Sequence, residues 1–315
     1  MRTSTPKCLL LGHIAATIAC TCVFSSELPL RTRKVKARTT SSTSDLRSLY
    51  EEGSLGETGY RMMKPVDYDA ERSYPLVLSL HGAGGRGKNN YSQLRFWNQV
   101  MATRDWRTEH PCFVLAPQSD GPWYMKEDWE NLSDEELLSL SRVHRRVDSI
   151  YKAKQKLGTI PGGGLDKALA ILNEVLDKYN VDRTRIYIIG ASMGGFGVWN
   201  AIANRPGMFA AAVPVCGGWP ELKSPRTVKD IPIWCFHGGK DRVVKPGHSR
   251  SIFDRLTKAN GNMKYTEFTN TGHSAWIPAF TFKGDNTVPG AVTKYAGDRC
   301  DRTSDIWEWL FRQKR

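Results

Sequence analysis

Seven short apolar runs punctuate the chain: Gly59–Met63, Pro75–Leu80, Cys112–Ala116, Arg185–Ile189, Ala210–Val215, Ile231–Phe236 and Lys264–Thr269. Several are apolar at both alternating positions, which predicts strands buried on two faces of a parallel sheet. The third lies between Pro111 and Pro117, which suit the ends of a strand better than its middle. Helical spacing separates the runs, at Tyr91–Arg104, Asp166–Tyr179, Gly194–Asn204 and Gly247–Ala259, and Ser304–Arg312 closes the chain. Alternating strand and helix signals with short connections predict a mostly parallel, doubly wound α/β domain spanning 58–315.

One insertion, residues 127–164, breaks the alternation. Ser133 followed by Glu136 is a capping-box signature that starts a helix at Asp134. Leu137, Leu140, Val143, Val147 and Ile150 then recur every three or four residues, with Leu157 a heptad further on. Acidic residues at its start and basic ones at its end suit the helix dipole. This predicts one added, charged, amphipathic helix over 134–157. Two readings are open: a helix packed on the domain's exterior, or a lid over the binding site.

The N-terminus has a different pattern. Arg2 and Lys7 precede an apolar stretch, Cys8–Phe24, so residues 1–26 resemble a signal peptide, with an uncleaved membrane anchor or lipid attachment at Cys20 as alternatives. Residues 27–57, basic and then Ser/Thr-rich, suggest a linker. The formal charge is +13, of which residues 1–38 supply +6 through seven basic residues against one acidic, leaving +7 for the remainder. No basic recognition motif accompanies that excess, so nucleic acid is not an expected partner, and membrane contact is expected only through an uncleaved N-terminal segment. Of seven cysteines, Cys8, Cys20 and Cys22 fall in the leader, Cys112, Cys216 and Cys235 in apolar runs, and Cys300 on a loop. Their spacing supports neither a metal site nor a disulfide framework, and no cofactor is expected.

Gly190-Ala191-Ser192-Met193-Gly194 carries the chemistry. A strand directly before it and a helix directly after it are the context of a nucleophile elbow, whose small residues allow the sharp turn that exposes the serine. Serine needs a base to take its proton. Among seven histidines, His273 lies on a loop after the last apolar run, in Thr271-Gly272-His273-Ser274-Ala275-Trp276. His81 and His237 instead end strands as His-Gly pairs. An acid must orient the imidazole, and Asp241 follows its strand in His237-Gly238-Gly239-Lys240-Asp241, unlike Asp230, Asp254 or Glu267. The oxyanion needs two N–H donors, expected from Met193 and from Ala83 in His81-Gly82-Ala83-Gly84-Gly85.

The blocks PLVLSLHGAGG, PCFVLAPQ, YNVDRTRIYIIGASMGGFGVWN, FAAAVPVCGG, IPIWCFHGGKDRVV and TGHSAW resemble the bacterial phospholipase/carboxylesterase-like ("predicted peptidase") branch of the α/β hydrolases. That branch lies near dienelactone hydrolases and feruloyl or polyhydroxybutyrate-depolymerase-type esterases. The resemblance implies the α/β-hydrolase fold and the same Ser192, Asp241, His273, Met193 and Ala83. The inserted charged helix and the longer stretch Ile277–Asp301 depart from the pattern, so substrate class does not follow. The expected activity is hydrolysis of a small-molecule or polymer-linked ester by an exported enzyme, with Trp123, Trp219 and Trp276 as candidate pocket walls. A serine peptidase and a non-catalytic binding protein on the same scaffold are the alternatives.

Overall fold

Runs without a polar face need cover on both sides of a sheet, and helices supply it here. The computed structural model describes residues 43–315 except 144, 160–161 and 220–222. The expected signal peptide or anchor, Cys20 and the basic run after it lie outside the described residues. Ser41–Arg315 form one unit. In chain order its elements are α1 (Thr43–Leu49), β1 (Tyr50–Leu55), β2 (Thr58–Met63), β3 (Tyr74–Leu80), α2 (Phe96–Met101), α3 (Arg104–Glu109) and β4 (Phe113–Pro117). There follow α4 (Asp134–Val143), α5 (Arg145–Leu157), α6 (Gly164–Lys178), β5 (Val181–Ala191), α7 (Met193–Asn204) and β6 (Ala211–Val215). The chain ends with β7 (Ile233–Gly238), α8 (Gly247–Thr257), β8 (Met263–Phe268), α9 (Trp276–Ala279), β9 (Ala291–Tyr295) and α10 (Ile306–Arg312).

The strands form one sheet in the order β1-β2-β4-β3-β5-β6-β7-β8-β9. From β4 through β8 every pairing is parallel, while β1, β2 and β9 are added antiparallel. Residues alternate across it with the period of two that a strand imposes. Leu76, Leu78, Leu80, Ile186 and Ile188 pack with Leu172, Val198, Trp199 and Leu256 of α6, α7 and α8. Val77, Tyr187, Ile189, Val213 and Phe236 pack on the other face with Trp97, Trp106, Trp307 and Leu310 of α2, α3 and α10.

All seven expected strands are present, but the sheet is wider than the apolar runs announce. It begins at Tyr50, inside the stretch whose composition suggested a linker, because β1 is a largely exposed edge strand (YEEGSL). Edge strand β9 is half-exposed along its length and lies inside the stretch Ile277–Asp301. An edge strand needs cover on one side only, and polar residues suffice. Cys112, Cys216, Cys235 and Cys300 are free thiols, all buried, including the one expected on a loop.

The inserted segment is not one helix. It is two, α4 and α5, folded back on each other: Lys154 Nζ lies 2.7 Å from Asp134 Oδ1, and Leu137 shares a small core with Ile150, Trp129 and Tyr124. In a single helix, positions 134 and 154 would be about 30 Å apart. A repeat of three and four residues is identical for one long amphipathic helix and for two that face each other, so periodicity could not separate them. His144 and the side chains at 142–149 lie outside the described residues. The capping box is present, with Ser133 Oγ accepting from the Glu136 N–H and the Glu136 carboxylate accepting from the Ser133 N–H.

The hairpin is rooted at the far end of α7. At the entry to the inserted segment, Glu127 pairs with Arg205, and Asp128 accepts from the amide of Asn204, the last residue of that helix. We expect that bridging residues 133–158 with a short Gly/Ser linker will leave the preference among ester chain lengths unchanged within about twofold. The burial of Leu137 and Ile150 implies a stability cost of roughly 3 kcal/mol. Thermal melts and a chain-length series on the purified variant check both, and a shifted profile would place the hairpin at the substrate.

Candidate active site

Ser192 stands between β5 and α7 with φ 56° and ψ −119°, a conformation that L-residues rarely hold. The surrounding backbone leaves it no alternative. A Cβ on Gly194 would overlap the Leu80 carbonyl, and one on Gly190 would come within 2.7–2.8 Å of the Gly194 and Leu80 carbonyl oxygens. Glycine at both positions lets β3, β5 and α7 meet without side chains between them. The Ser192 N–H is tied to the Val215 carbonyl, 2.9 Å away, which fixes the turn against β6.

The hydroxyl does not cap its own helix. It is held instead by His273, whose Nε2 is 2.9 Å from Ser192 Oγ and whose Nδ1 is 2.7 Å from Asp241 Oδ2. A carboxylate can only accept, so Nδ1 carries the proton and Nε2 presents its lone pair to the serine hydroxyl. Asp241 is wholly buried, which pushes its carboxyl up. The hydrogen bonds from His273 and from the N–H groups of Val244 and Val243 outweigh this and hold it below the ordinary carboxylate range. The two loops are clasped together, the Lys240 N–H donating to the Thr271 carbonyl at 2.9 Å.

Two further histidines brace the site, and one of them, His237, has its Nε2 3.4 Å from Asp241 Oδ2. His81 Nε2 accepts from the Ser119 N–H at 3.0 Å, so its Nδ1 carries the proton and donates to the Gly82 carbonyl at 2.8 Å. Burial lowers its pKa to about 4. His237 donates from Nε2 to the Val244 carbonyl and accepts at Nδ1 from the Ser249 hydroxyl. Burial likewise lowers its pKa. Cys216, His237 and Asp241 lie within 4.8 Å of one another and could in principle hold a metal. The donor set does not suit one: burial pushes the Cys216 thiol up, and His237 and Asp241 already have hydrogen-bond partners.

A cavity of about 620 Å³ opens beside Ser192 and His273. Its walls are the Gly82–Gly85 loop with Arg95, the start of α2 at Phe96 and Trp97, and Val243 and Trp276 opposite. Gly82 is pressed against the turn: a Cβ there would lie 3.2 Å from the Ala191 carbonyl oxygen and 3.7 Å from Ser192 Cβ. Ala83 is thus on the loop that borders the nucleophile, and Met193 opens α7, where the first N–H groups have no partner within the helix.

Of the three tryptophans expected as walls, only Trp276 lines the cavity, its ring edge-on to His273 at 5.3 Å. Trp123 is buried along α7 and donates from Nε1 to the His81 carbonyl, so it supports the loop from beneath. Trp219 packs edge-on to Trp199 and borders a separate hollow with His248 and Arg255. Both lie on loops at the correct edge, but the wall positions were taken by Arg95, Phe96, Trp97 and Val243. Their one sequence signal is the apolar Phe96-Trp97 pair just after the glycine-rich loop. The rival acids are committed elsewhere, Asp230 to Arg299 and Glu267 to Arg250.

The fold is that of the α/β hydrolases. A solved thermostable esterase superposes on 86% of this chain and 64% of its own, with TM-score 0.64 and 31% identity. A family model described as PET hydrolase-like matches residues 166–288, which include Ser192, Asp241 and His273. A bifunctional acetylxylan esterase/xylanase of Neocallimastix patriciarum is 31% identical over 74 residues, which cover 24% of this chain and 11% of that protein. Acylamino-acid-releasing enzyme 1 of Oryza sativa subsp. japonica is 34% identical over 95 residues, covering 28% of this chain and 12% of that protein. The matched part is thus about a tenth of each curated relative.

The buried neutral state of His81 gives this hydrolase fold a defined acid sensitivity. Its folded pKa lies below the ordinary 6.5, so the unfolded chain takes up the proton first. The contribution is complete above pH 6.5 and is lost as the pH falls toward 4, amounting to roughly 3 kcal/mol at the low end. Denaturation midpoints measured from pH 7 to pH 4 are expected to fall less steeply in His81→Gln than in the parent. Parallel slopes would remove His81 as the source.

Proposed function

We propose that the protein is a serine hydrolase of carboxylic esters, with Ser192 as nucleophile, His273 as general base and acid, and Asp241 as the orienting acid. The relay Asp241–His273–Ser192 on a strained turn beside an open cavity carries this reading. Its proton already has a path: Ser192 Oγ–H faces the His273 Nε2 lone pair. As Oγ attacks the ester carbonyl, that proton passes to Nε2, and Asp241 stabilises the imidazolium that forms. The carbonyl oxygen, now negative, receives hydrogen bonds from the N–H of Met193 and of Ala83. Collapse of the tetrahedral species breaks the bond to the leaving alcohol, which takes the proton from His273. Water, deprotonated by the same Nε2, then attacks the acyl-serine and releases the acid.

Esters are favoured over amides by the thermostable esterase, which shares the fold over most of this chain, and by the PET hydrolase-like match across the three relay residues. The signal-like residues 1–26 support export, and among the described residues no helix is long and apolar enough to cross a membrane.

Fluorophosphonate labelling and hydrolysis of 4-nitrophenyl esters are expected for the parent and absent in Ser192→Ala. In Asp241→Asn, kcat should fall by about a thousandfold or more, because the amide presents the wrong partner to Nδ1. Near-parental turnover in Asp241→Asn would move the acid elsewhere. An unlabelled parent would end the nucleophile assignment, and faster release of an N-acylated amino acid anilide than of any ester would favour a peptidase.

A further inference from the structure

The cavity that faces Ser192 carries one permanently charged side chain. Arg95 lies on its wall, and no aspartate or glutamate lines it. The guanidinium donates from Nη2 to the Gly84 carbonyl. Arg86, on the other side of the same loop, donates from Nε to the Ala83 carbonyl at 3.2 Å. Neither arginine forms an ion pair among the described residues. Both are held by neutral carbonyl groups, which fix their position and leave their charge uncompensated.

Building on the ester-hydrolase reading, we propose that the preferred substrate is an ester bearing a carboxylate or similar anionic group, seated over the Gly82–Gly85 loop and paired with Arg95. The geometry sets the reach. Gly82 lies beside the Ala191–Ser192 turn, where an added Cβ would meet Ser192 Cβ at 3.7 Å, the Gly84 carbonyl accepts from Arg95, and the α-carbons of Gly82 and Gly84 are at most about 7 Å apart. An anion separated from the reacting carbonyl by a few bonds spans that interval. Phe96, Trp97 and Trp276 give the uncharged part of the substrate an apolar bed. A guanidinium fork already aligned by a backbone carbonyl loses little freedom when it takes a carboxylate. Arg95 is exposed to solvent, so the preference is salt-sensitive.

Two matched pairs test this, one for each side of the scissile bond. For the acyl side these are mono-4-nitrophenyl adipate and 4-nitrophenyl 6-methylheptanoate. For the alcohol side they are 4-acetoxybenzoate and 4-methylphenyl acetate. In at least one pair the parent should favour the anionic ester in kcat/KM, and that ratio should shrink as salt rises to about 0.5 M. Arg95→Gln should reduce the ratio about tenfold or more, and Arg95→Lys, which keeps the charge but loses the fork, should retain only part of it. A parent ratio near or below one in both pairs, or a ratio unchanged in Arg95→Gln, overturns the proposal. If the parent cleaves none of the four esters, the ester-hydrolase reading itself fails and this proposal falls with it. Turnover of the neutral esters alone overturns only the anionic preference.

Discussion

The close approach of three backbones beneath Ser192 is the constraint on which the site depends. Leu80, at the end of β3, presents its carbonyl where Cβ atoms of Gly190 and Gly194 would otherwise stand. The contact forces the chain from β5 to α7 through a φ of 56°. Such a conformation costs on the order of 1–3 kcal/mol. It persists because β3, β5 and β6 are fixed by parallel ladders and by cores on both faces. In return, the Ser192 side chain is lifted clear of its helix, and the first N–H groups of α7 stay unfilled. The Gly82 loop, continuous with β3, is delivered to the same point.

The remaining groups divide their work by charge state. Asp241 is buried and kept ionised by three donors, so it can stabilise a positive imidazole at His273. His81 and His237 are also buried, but each has one acceptor and one donor arranged for a neutral ring. A neutral imidazole can hold a loop without competing electrostatically with the relay. His81 ties the Gly82 loop to Ser119, and Trp123 ties its own carbonyl to the layer beneath. The loop that borders Ser192 is thus anchored from two directions.

Much of this was legible in the sequence, for a physical reason. β3, β5, β6 and β7 are buried on both faces, so burial itself writes their apolar runs. The elbow is legible because only glycine tolerates the Leu80 contact, and Asp241 and His273 because each follows such a strand on a glycine-containing loop. Edge strands β1 and β9 left no such signature, since half of their surface meets water. The sequence reads as one helix over 134–157 because neither the apolar spacing nor the charge gradient changes between α4 and α5. The pocket walls were the least legible. A wall tryptophan such as Trp276 and a supporting one such as Trp123 are the same residue type on similar loops, and only packing distinguishes them.

The departures from the family pattern can also be placed by what they touch. The longest, the inserted segment 127–164, is fastened at its start to the C-terminal end of α7, where Asp128 meets Asn204 and Glu127 meets Arg205. At 1.5 Å per residue that end is about 18 Å from the nucleophile. Arg95 ends the connection from β3 to α2, Phe96 and Trp97 open α2, and Trp276 opens α9, immediately beyond the histidine loop. Neither Arg95 nor Phe96 holds a relay residue in place, so both can vary while the triad geometry stays fixed. Arg95 and its neighbours line the cavity but do not belong to the backbones that strain Ser192, so one side chain there alters the charge or shape of the cavity while the turn stays fixed.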